Sequence, residues 1–277
     1  MIKLVVLIAS LALGILTALQ FSFASPIIYI LVAIAFTLAY IIACFTVFFL
    51  SAVIVDLPIN TKVKPEHYNH TYQKIFAFYV WFALSLFGVA IKGKGIEKVP
   101  TDSNFILVGN HVSNIDPLVT NRYLRKFPFV FASKESLFKV PFFGKMIHQI
   151  GYLKLNRDDL KKDIKELERG YRYLKDNECS LAIYPEGTRN KTNELTMLPF
   201  KDTCFKFALK LQKPIVVSVI NGTKEANKGL LTKRHIVNYE ILTTLYYDDY
   251  KDMSDSELSD YVYKMMEKRI LELRNIE

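Results

Sequence analysis

The feature that most constrains this chain is an uncharged apolar run near its amino terminus. Residues 4–55 are 52 consecutive positions without Asp, Glu, Lys, Arg or His. At about 1.5 Å per residue, a single helix of this length would extend about 78 Å, whereas the hydrocarbon core of a bilayer is about 30 Å thick. The run must therefore fold back. Ser25-Pro26 is the natural break, because proline cannot continue a helix. The sequence predicts a transmembrane hairpin with segments near residues 4–24 and 27–55.

A secretory signal peptide is an alternative interpretation of the first segment. Lys3, the apolar stretch and Ser22-Phe23-Ala24 resemble the charged start, apolar centre and small-residue cleavage site of such a peptide. Residues 27–55 would then be a stop-transfer anchor. The net charge of +9 is carried almost wholly after residue 55, and positive segments beside membrane helices tend to stay cytoplasmic. Both interpretations therefore predict an integral protein of the cell membrane whose remaining chain lies on the cytoplasmic side.

A third apolar run, residues 75–91, lies between Lys74 and Lys92 and is rich in aromatic side chains. Aromatic residues favour the headgroup region of a membrane, and this length is at the short limit for a span. One interpretation is an interfacial helix within a connecting region, residues 56–92. The other is a third membrane crossing, which the charge distribution disfavours.

Residues 93–277 alternate between short apolar runs and amphipathic stretches, which predicts one α/β domain with a mixed sheet flanked by helices. Strands are expected near residues 104–108, 129–132, 151–155, 180–184, 214–220 and 235–242. Helices are expected near residues 117–126, 136–149, 158–176 and 200–212, with a last helix capped at Ser254. The clearest helix, 158–176, is expected to bury a face made of Leu160, Ile164, Leu167, Tyr171 and Leu174.

The first chemically suggestive motif extends from Asn110 to Asp116 and directly follows the apolar run 105–108. It places the imidazole of His111 and a carboxylate on one short turn. A histidine that takes a proton from an alcohol needs one ring nitrogen held by a partner and the other facing the substrate. By itself, such a pair is also typical of a structural hydrogen bond. Ser113 lies in the same turn, but no G-x-S-x-G elbow surrounds it, so a serine nucleophile is not expected.

The second motif extends from Tyr184 to Arg189 and follows the strand-like run 180–183. Gly187 allows close backbone approach to a ligand, Thr188 supplies a hydroxyl, and the guanidinium suits bidentate phosphate binding. Alone, the motif is equally consistent with an ordinary turn and a solvated arginine. Ligands bind at the carboxyl ends of strands in open α/β sheets, so two motifs that each follow a strand predict one site.

These residues resemble the signature of the glycerolipid acyltransferase family, which is N-H-x-x-x-x-D followed later by E-G-T-R. The sequence matches the two parts at Asn110–Asp116 and Glu186–Arg189. Between them, the segment that ends at Arg157 resembles the middle block of the family. The apolar segment opened by Pro214 resembles its fourth block. The resemblance covers roughly residues 75–245.

The resemblance implies transfer of a fatty acyl group from acyl-coenzyme A or acyl-carrier protein to lysophosphatidic acid (1-acyl-sn-glycerol 3-phosphate), which makes phosphatidic acid for phospholipid biosynthesis. His111 would be the general base, a role worth about 10²–10⁴ in rate, and Asp116 would orient it. The residues implied for the acceptor phosphate are Glu186, Gly187, Thr188, Arg189 and Arg157. The residues expected to support the site are Asn110, Ser113 and Pro214.

The basic character of the chain limits the classes of molecule that it is expected to bind. No recognised nucleic-acid motif accompanies the sequence pI of about 9.2, so nucleic acid is not expected. Membrane phospholipids and an acidic acyl donor fit the charge better. The three cysteines show neither metal-ligand spacing nor a disulfide pattern. We therefore expect no metal and no cofactor, with the acyl thioester as co-substrate.

Two alternatives remain at this point. The acceptor could be glycerol 3-phosphate or another lysophospholipid. The chain could also be a non-catalytic membrane protein that binds lipid, although a binding protein has no need of a general base.

Overall fold

The computed structural model describes residues 2–23, 25–156, 160–190, 196–228 and 234–274. The chain forms two compact units, Met1–Asn60 and Thr61–Glu277. Ala24, at the possible cleavage site, and Arg157, expected to bind phosphate, lie outside the described residues.

The first unit consists of two apolar helices, α1 (Ile2–Ala18) and α2 (Pro26–Asp56). Ser25 caps α2, because its hydroxyl accepts a hydrogen bond from the backbone N–H of Ile27 at 3.3 Å and proline occupies the first turn. The predicted break at Ser25-Pro26 is therefore where the second helix begins. The first helix ends at Ala18, earlier than the expected residue 24.

Small residues allow α1 and α2 to approach closely. A Cβ atom on Gly14 would lie 2.3 Å from the Thr37 hydroxyl oxygen, and the Thr17 and Tyr40 hydroxyls are 2.9 Å apart. Such contacts between small and hydroxyl-bearing residues are typical of helix pairs in membranes. Among the described helices, α2 is the one that is long and apolar enough to cross a membrane, while α1 is a shorter apolar helix of 17 residues.

The second unit is a seven-stranded sheet flanked by helices. Its strands are β1 (Val89–Lys94), β2 (Ile106–Gly109), β3 (Phe129–Lys134), β4 (Leu153–Leu155), β5 (Ser180–Ile183), β6 (Ile215–Asn221) and β7 (His235–Leu245). Its helices are α3 (His70–Leu86), α4 (Asp116–Tyr123), α5 (Phe143–Ile150), α6 (Leu160–Lys175), α7 (Thr203–Leu211), α8 (Thr223–Lys228), α9 (Tyr247–Tyr250) and α10 (Asp255–Arg274). The 3-10 turns among its described residues are Ile96–Lys98 and Glu135–Lys139.

The sheet is mixed, in the order β1-β7-β6-β2-β5-β3-β4. All neighbouring strands pair in parallel except β6 and β7, which pair antiparallel. Every residue of β2 is buried, as are most residues of β5 and β6, which is why these central strands are continuous apolar runs in the sequence. The carboxyl ends of β2, β5 and β3 lie at one edge, which places the two sequence motifs side by side. The expected mixed α/β fold is confirmed.

The third apolar run is two elements rather than one. Helix α3 ends at Leu86, Gly88 adopts a left-handed φ of 74°, and the edge strand β1 begins at Val89. A membrane crossing by residues 75–91 is therefore wrong, because the end of the run pairs with β7. The expected boundary at residue 93 also falls inside β1, and α3 belongs to the same compact unit as the sheet.

Helix α6 buries only part of the face that its apolar pattern predicts: Leu174 is buried, and Leu167 and Tyr171 are half-buried. Glu166, Gly170 and Tyr173 are buried, whereas Ile164 is 46% exposed. Glu166 tolerates burial because Lys64 and Arg169 both pair with its carboxylate, at 2.6 Å each. The helix is confirmed, but its orientation depends on partners far away in the sequence.

The single helix expected at residues 136–149 is wrong, because the structure has the 3-10 turn Glu135–Lys139 followed by the separate helix α5. The remaining predicted elements are present with shifted ends, while the short helices α8 and α9 had no strong sequence signal. Ser254 caps α10 as expected: its hydroxyl accepts from the Glu257 N–H at 3.2 Å, and the Glu257 carboxylate accepts from the Ser254 N–H at 2.8 Å.

Candidate active site

The two motifs meet at the carboxyl ends of β2 and β5. Asn110 and His111 directly follow β2, and Asp116 is the first residue of α4. The intervening turn is short because the Asp116 carboxylate accepts hydrogen bonds from the backbone N–H groups of Val112 and Ser113, both at 2.7 Å. Such a carboxylate at a helix start also interacts favourably with the helix dipole.

The His111 ring is held by Asp116. Its Nδ1 lies 2.8 Å from Asp116 Oδ2, the same oxygen that accepts the two backbone N–H groups. An oxygen that accepts two N–H bonds acts as an acceptor toward the ring as well, so the shared proton resides on Nδ1. Asp116 is completely buried, whereas the His111 side chain is 18% exposed. The Nε2 atom is therefore the ring nitrogen left to meet a ligand.

Tyr184 supports the His111 ring from one face. The two rings are parallel within 9°, with centroids 4.4 Å apart, and Phe131 stacks behind Tyr184 at 5.5 Å. The Tyr184 hydroxyl lies 3.3 Å from that of Thr120 on α4. Burial and the nearby Asp116 raise the pKa of Tyr184 well above its usual value. Tyr184 thus acts as a neutral platform that limits rotation of the imidazole.

Glu186 ties the two motifs and a distant loop together. One carboxylate oxygen accepts the backbone N–H of His111 at 2.7 Å, and the other accepts that of Leu198 at 2.9 Å. Burial raises the pKa of Glu186, although the two N–H bonds partly oppose this shift. The loop gains a further link where the Asn190 N–H donates to the His111 carbonyl at 2.8 Å. Glu186 therefore organises the backbone around His111 and does not project its carboxylate as a ligand for an anion.

Gly187 makes room for a lysine that the motifs did not reveal. Its φ is 65°, a left-handed conformation that favours glycine, and a Cβ atom there would lie 3.0 Å from Lys201 Cε. Lys201 is held nearby because its N–H donates to the Pro185 carbonyl at 2.9 Å. Arg189 lies along the same edge, and among the described residues it forms no ion pair.

These side chains line one open pocket of about 440 Å³, here called the His111 pocket. Its polar side carries His111, Thr188, Arg189 and Lys201. The lining also includes the charged residues Lys134 and Asp163 and the apolar residues Phe131, Leu137, Leu155 and Leu167. The pocket thus combines a fixed imidazole, three cations, one carboxylate and several apolar side chains, an arrangement suited to a ligand that carries both a phosphate and an alkyl chain.

The three residues expected to support the site lie in different surroundings. Asn110 bonds to the backbone of Ile220 through both ends of its amide, at 3.0 and 2.8 Å, and so joins the ends of β2 and β6. Ser113 is 3% exposed, and its hydroxyl accepts from the Ile115 N–H at 3.4 Å within the turn. Pro214 precedes β6 at the opposite edge of the sheet, where its carbonyl accepts from the Ile106 N–H at 2.9 Å.

Comparison with known proteins agrees with the family resemblance of the two motifs. The model of the acyltransferase family matches residues 90–221, which include both motifs. The 1-acyl-sn-glycerol-3-phosphate acyltransferase of Haemophilus influenzae is 32% identical over 201 residues, which cover 70% of this chain and 80% of that protein. The chain belongs to this acyltransferase family. It is accordingly an O-acyltransferase.

Other relatives in the family agree. The Escherichia coli protein of the same name is 30% identical over 190 residues, covering 68% of this chain and 76% of its own. The Saccharomyces cerevisiae protein of that name is 36% identical over 159 residues, covering 56% of this chain and 51% of its own. A crystal structure of the lysophosphatidic acid acyltransferase from Thermotoga maritima has a TM-score of 0.59 and 24% identity, over 73% of this chain and 79% of that chain. That likeness supports the fold.

The two motifs predicted that His111, Asp116, Glu186 and Arg189 lie in one site. They did not reveal Tyr184 as a platform or Lys201 as a further cation of the pocket. Tyr184 had a usable signal, since it is the residue that ends the apolar strand before the second motif. Lys201 had none, because its approach depends on the space left by Gly187.

Proposed function

We propose that this chain transfers a fatty acyl group to the free hydroxyl of 1-acyl-sn-glycerol 3-phosphate and so makes phosphatidic acid for phospholipid biosynthesis. The observation that carries the proposal is the hydrogen bond of 2.8 Å between His111 Nδ1 and the buried Asp116, in a pocket that also holds Arg189 and Lys201. The names of the relatives support this acceptor class.

In the proposed reaction, His111 acts as a general base. As the acceptor oxygen attacks the thioester carbonyl carbon, Nε2 takes the proton of the acceptor hydroxyl. The tetrahedral intermediate collapses by breaking the C–S bond, and the imidazolium returns the proton to the departing thiolate. Asp116 holds the tautomer that leaves Nε2 unprotonated and stabilises the positive ring while the intermediate exists. The acceptor attacks directly, so no enzyme nucleophile is needed.

Recognition of the acceptor is assigned to the cationic side of the pocket. Arg189 can bind a phosphate through two parallel N–H bonds, and Lys201 adds a compact positive charge beside Gly187. Arg157 is proposed as a further phosphate-binding group on the basis of the family pattern alone. Thr188 contributes a hydroxyl at the same edge. The apolar wall around Phe131 and Leu167 gives alkyl carbons a surface on which to pack.

The donor is proposed to be acyl-coenzyme A or acyl-carrier protein, with neither a metal nor a cofactor. We place the enzyme in the cell membrane as an integral protein, with the α/β unit on the cytoplasmic side where both donors occur. The length and apolar character of α2 support membrane attachment.

The proposal is tested by acyl transfer with the purified full-length protein in detergent. Acyl-coenzyme A is the donor, and lysophosphatidic acid, glycerol 3-phosphate and lysophosphatidylglycerol are compared in parallel. We expect rapid transfer to lysophosphatidic acid and a loss of at least about 10³-fold in the His111→Ala variant. The matched control is His67→Ala, since His67 is an exposed histidine paired with Glu178 outside the pocket.

Each other outcome has a definite meaning. Faster transfer to glycerol 3-phosphate or lysophosphatidylglycerol would mean that this molecule is the acceptor, while the proposed general-base mechanism would stand. Retained turnover in a folded His111→Ala protein would contradict the general-base role. If neither acyl-coenzyme A nor acyl-carrier protein supports transfer, the non-catalytic lipid-binding interpretation takes its place.

A further inference from the structure

A second open pocket, of about 360 Å³, lies away from the His111 pocket. It is bounded by the end of α3, by the edge strand β1 and by the end of α4, and its lining includes Trp81, Leu84, Ile91, Arg122 and Arg125. None of its lining residues lines the His111 pocket. The two pockets are at opposite ends of α4, which begins with Asp116 and ends at Tyr123. We call the second one the arginine pocket.

The arginine pocket concentrates positive charge. Burial and the neighbouring Arg125 lower the pKa of Arg122, so the two guanidinium groups are close enough to repel each other. In the described part of the chain, neither arginine forms an ion pair with a carboxylate. Two close cations without a counter-ion are an unfavourable arrangement, and a bound anion would relieve it.

The nearby helix ends do not cancel this charge. Both α3 and α4 end beside the arginine pocket, and a helix end contributes at most about half of one negative charge. These ends favour the presence of cations, but Arg122 and Arg125 together bring two full positive charges. The carboxylates of Glu97 and Glu240 lie near Tyr123 of the lining, and Glu240 is already paired with Arg269. Arg122 and Arg125 are the two full charges among the lining residues themselves.

The remaining walls point to the kind of anion. Trp81 and Ile91 add apolar side chains to the lining, next to the buried Leu84 and Val89, and Ser85 adds a hydroxyl. A free phosphate ion would gain nothing from an apolar wall, whereas the headgroup of a phospholipid joins a phosphate to the carbon atoms of a glyceride.

The outer face of α3 favours a membrane position for this pocket. Phe78 is 50% exposed and Trp81 is 36% exposed, one turn apart, with their rings 5.9 Å from each other. Lys74 is exposed one turn earlier on the same face. Exposed aromatic rings next to a lysine are typical of residues at the headgroup level of a membrane.

We propose that the arginine pocket binds an anionic phospholipid, with Arg122 and Arg125 on its phosphate and the glyceride against Trp81 and Ile91. The site is separate from catalysis: it would hold a resident lipid of the membrane, not the acceptor that reacts at His111.

The single tryptophan of the chain, Trp81, provides a direct test. Full-length protein in neutral detergent, without acyl donor, is titrated with dihexanoyl phosphatidylglycerol while tryptophan emission is recorded. Parallel titrations use dihexanoyl phosphatidylcholine and inorganic phosphate. We expect a saturable change with phosphatidylglycerol alone, and a dissociation constant weakened about tenfold or more in Arg125→Gln and further in Arg122→Gln/Arg125→Gln. Lys264→Gln/Lys268→Gln, which removes two exposed charges from α10, is the matched control.

The other outcomes each overturn the proposal. Equal responses to phosphatidylglycerol and phosphatidylcholine would mean that Trp81 senses only general lipid contact. A response to inorganic phosphate of the same affinity would make the arginine pocket a free-phosphate site. Unchanged affinity in the arginine variants, or equal weakening in the α10 control, would remove the assigned contacts. Arg125 is exposed, so the single variant remains informative even if the double variant does not fold. Because no turnover is measured, failure here is independent of the proposed acyl transfer.

Discussion

Glu166 and Asp116 are both almost completely buried carboxylates of the α/β unit, yet their surroundings are opposite in character. Glu166 is paired with two permanent cations, Lys64 and Arg169. Asp116 is paired with a histidine and two backbone N–H groups, and its second oxygen has no hydrogen-bond partner among the described residues. The first carboxylate is satisfied on all sides, while the second is satisfied only where it holds the imidazole.

The cluster around Glu166 joins distant parts of the chain. The backbone N–H of Lys154 donates to Glu166 at 3.1 Å, and Arg169 donates to the Tyr152 carbonyl at 2.7 Å. Burial raises the pKa of Glu166, but Lys64, Arg169 and the Lys154 N–H together outweigh burial and hold this pKa below its usual value. Both carboxylate oxygens of Glu166 are therefore paired within the protein, which stabilises one arrangement of the chain and leaves neither oxygen to act on a ligand.

The comparison shows what separates a structural ion pair from a site in this fold. Both clusters are buried and hydrogen-bonded, but only the one around Asp116 ends in a group that reaches a pocket, His111. The same contrast holds for two arginines. Arg169 makes four hydrogen bonds to protein groups, whereas Arg189 lines the pocket without an ion pair in the described part of the chain.

The largest expected effect comes from exchanging each carboxylate for its amide. In Asp116→Asn, the amide would donate to Nδ1 and move the ring proton to Nε2, so we expect kcat to fall by about 10²–10⁴. Glu166→Gln is the matched control, and it should keep kcat within about threefold while lowering the midpoint of unfolding. The two variants are compared by acyl transfer and by thermal unfolding. A large loss of kcat in Glu166→Gln, or none in Asp116→Asn, would abolish the distinction between the clusters.

Removal of Arg169 should lower the stability of the fold more than it lowers the rate of acyl transfer. Its loss leaves Glu166 buried with one cation fewer and unpairs the Tyr152 carbonyl, so we expect the free energy of unfolding to fall by about 3–5 kcal/mol in Arg169→Ala. Chemical denaturation of the full chain in detergent measures this change. Lys175→Ala, an exposed cation on the same helix, should be nearly neutral. Equal effects in the two variants would mean that the Glu166 cluster does not stabilise the fold.

Removal of Arg189 should weaken binding of the acceptor rather than destabilise the fold. Arg189→Ala is expected to raise the KM for lysophosphatidic acid about 10–100-fold, because charge-assisted hydrogen bonds of about 1.5–3 kcal/mol are lost. Unfolding should change little, since this guanidinium has no ion pair among the described residues to lose. Steady-state kinetics with varied acceptor check the prediction, with Arg172→Ala as the control from outside the pocket. An unchanged KM would place the phosphate elsewhere.

The smallest expected effect is a change in how the stability of the fold depends on pH under acidic conditions. A carboxylate whose pKa is lowered in the folded state contributes stability that is complete above its usual value of 4.5, and this contribution is lost as the pH falls through the lower folded value. Stability of the unmodified chain should therefore decline more steeply below pH 4.5 than that of Glu166→Gln. Thermal unfolding measured over a pH series tests this difference, and parallel curves for the two proteins would show that Glu166 does not contribute.

The sequence by itself determined the parts of this protein that depend on short-range order. His111 and Asp116 are five residues apart, so one turn brings them together whatever the rest of the chain does. The break at Ser25-Pro26, the cap at Ser254 and the buried central strands are likewise set by local preferences and by continuous apolar runs.

Only the tertiary structure decided the features that depend on partners distant in the chain. Glu186 meets the His111 N–H across 75 residues, and Asn110 meets Ile220 across 110. Glu166, a charged residue that an amphipathic pattern places outside, is buried because Lys64 lies 102 residues away along the chain but beside it in space. Burial of a charge costs free energy unless a partner offsets it. The local sequence pattern cannot reveal that partner. The sequence therefore identified His111 and Asp116, whereas the residues around them are determined by the tertiary structure.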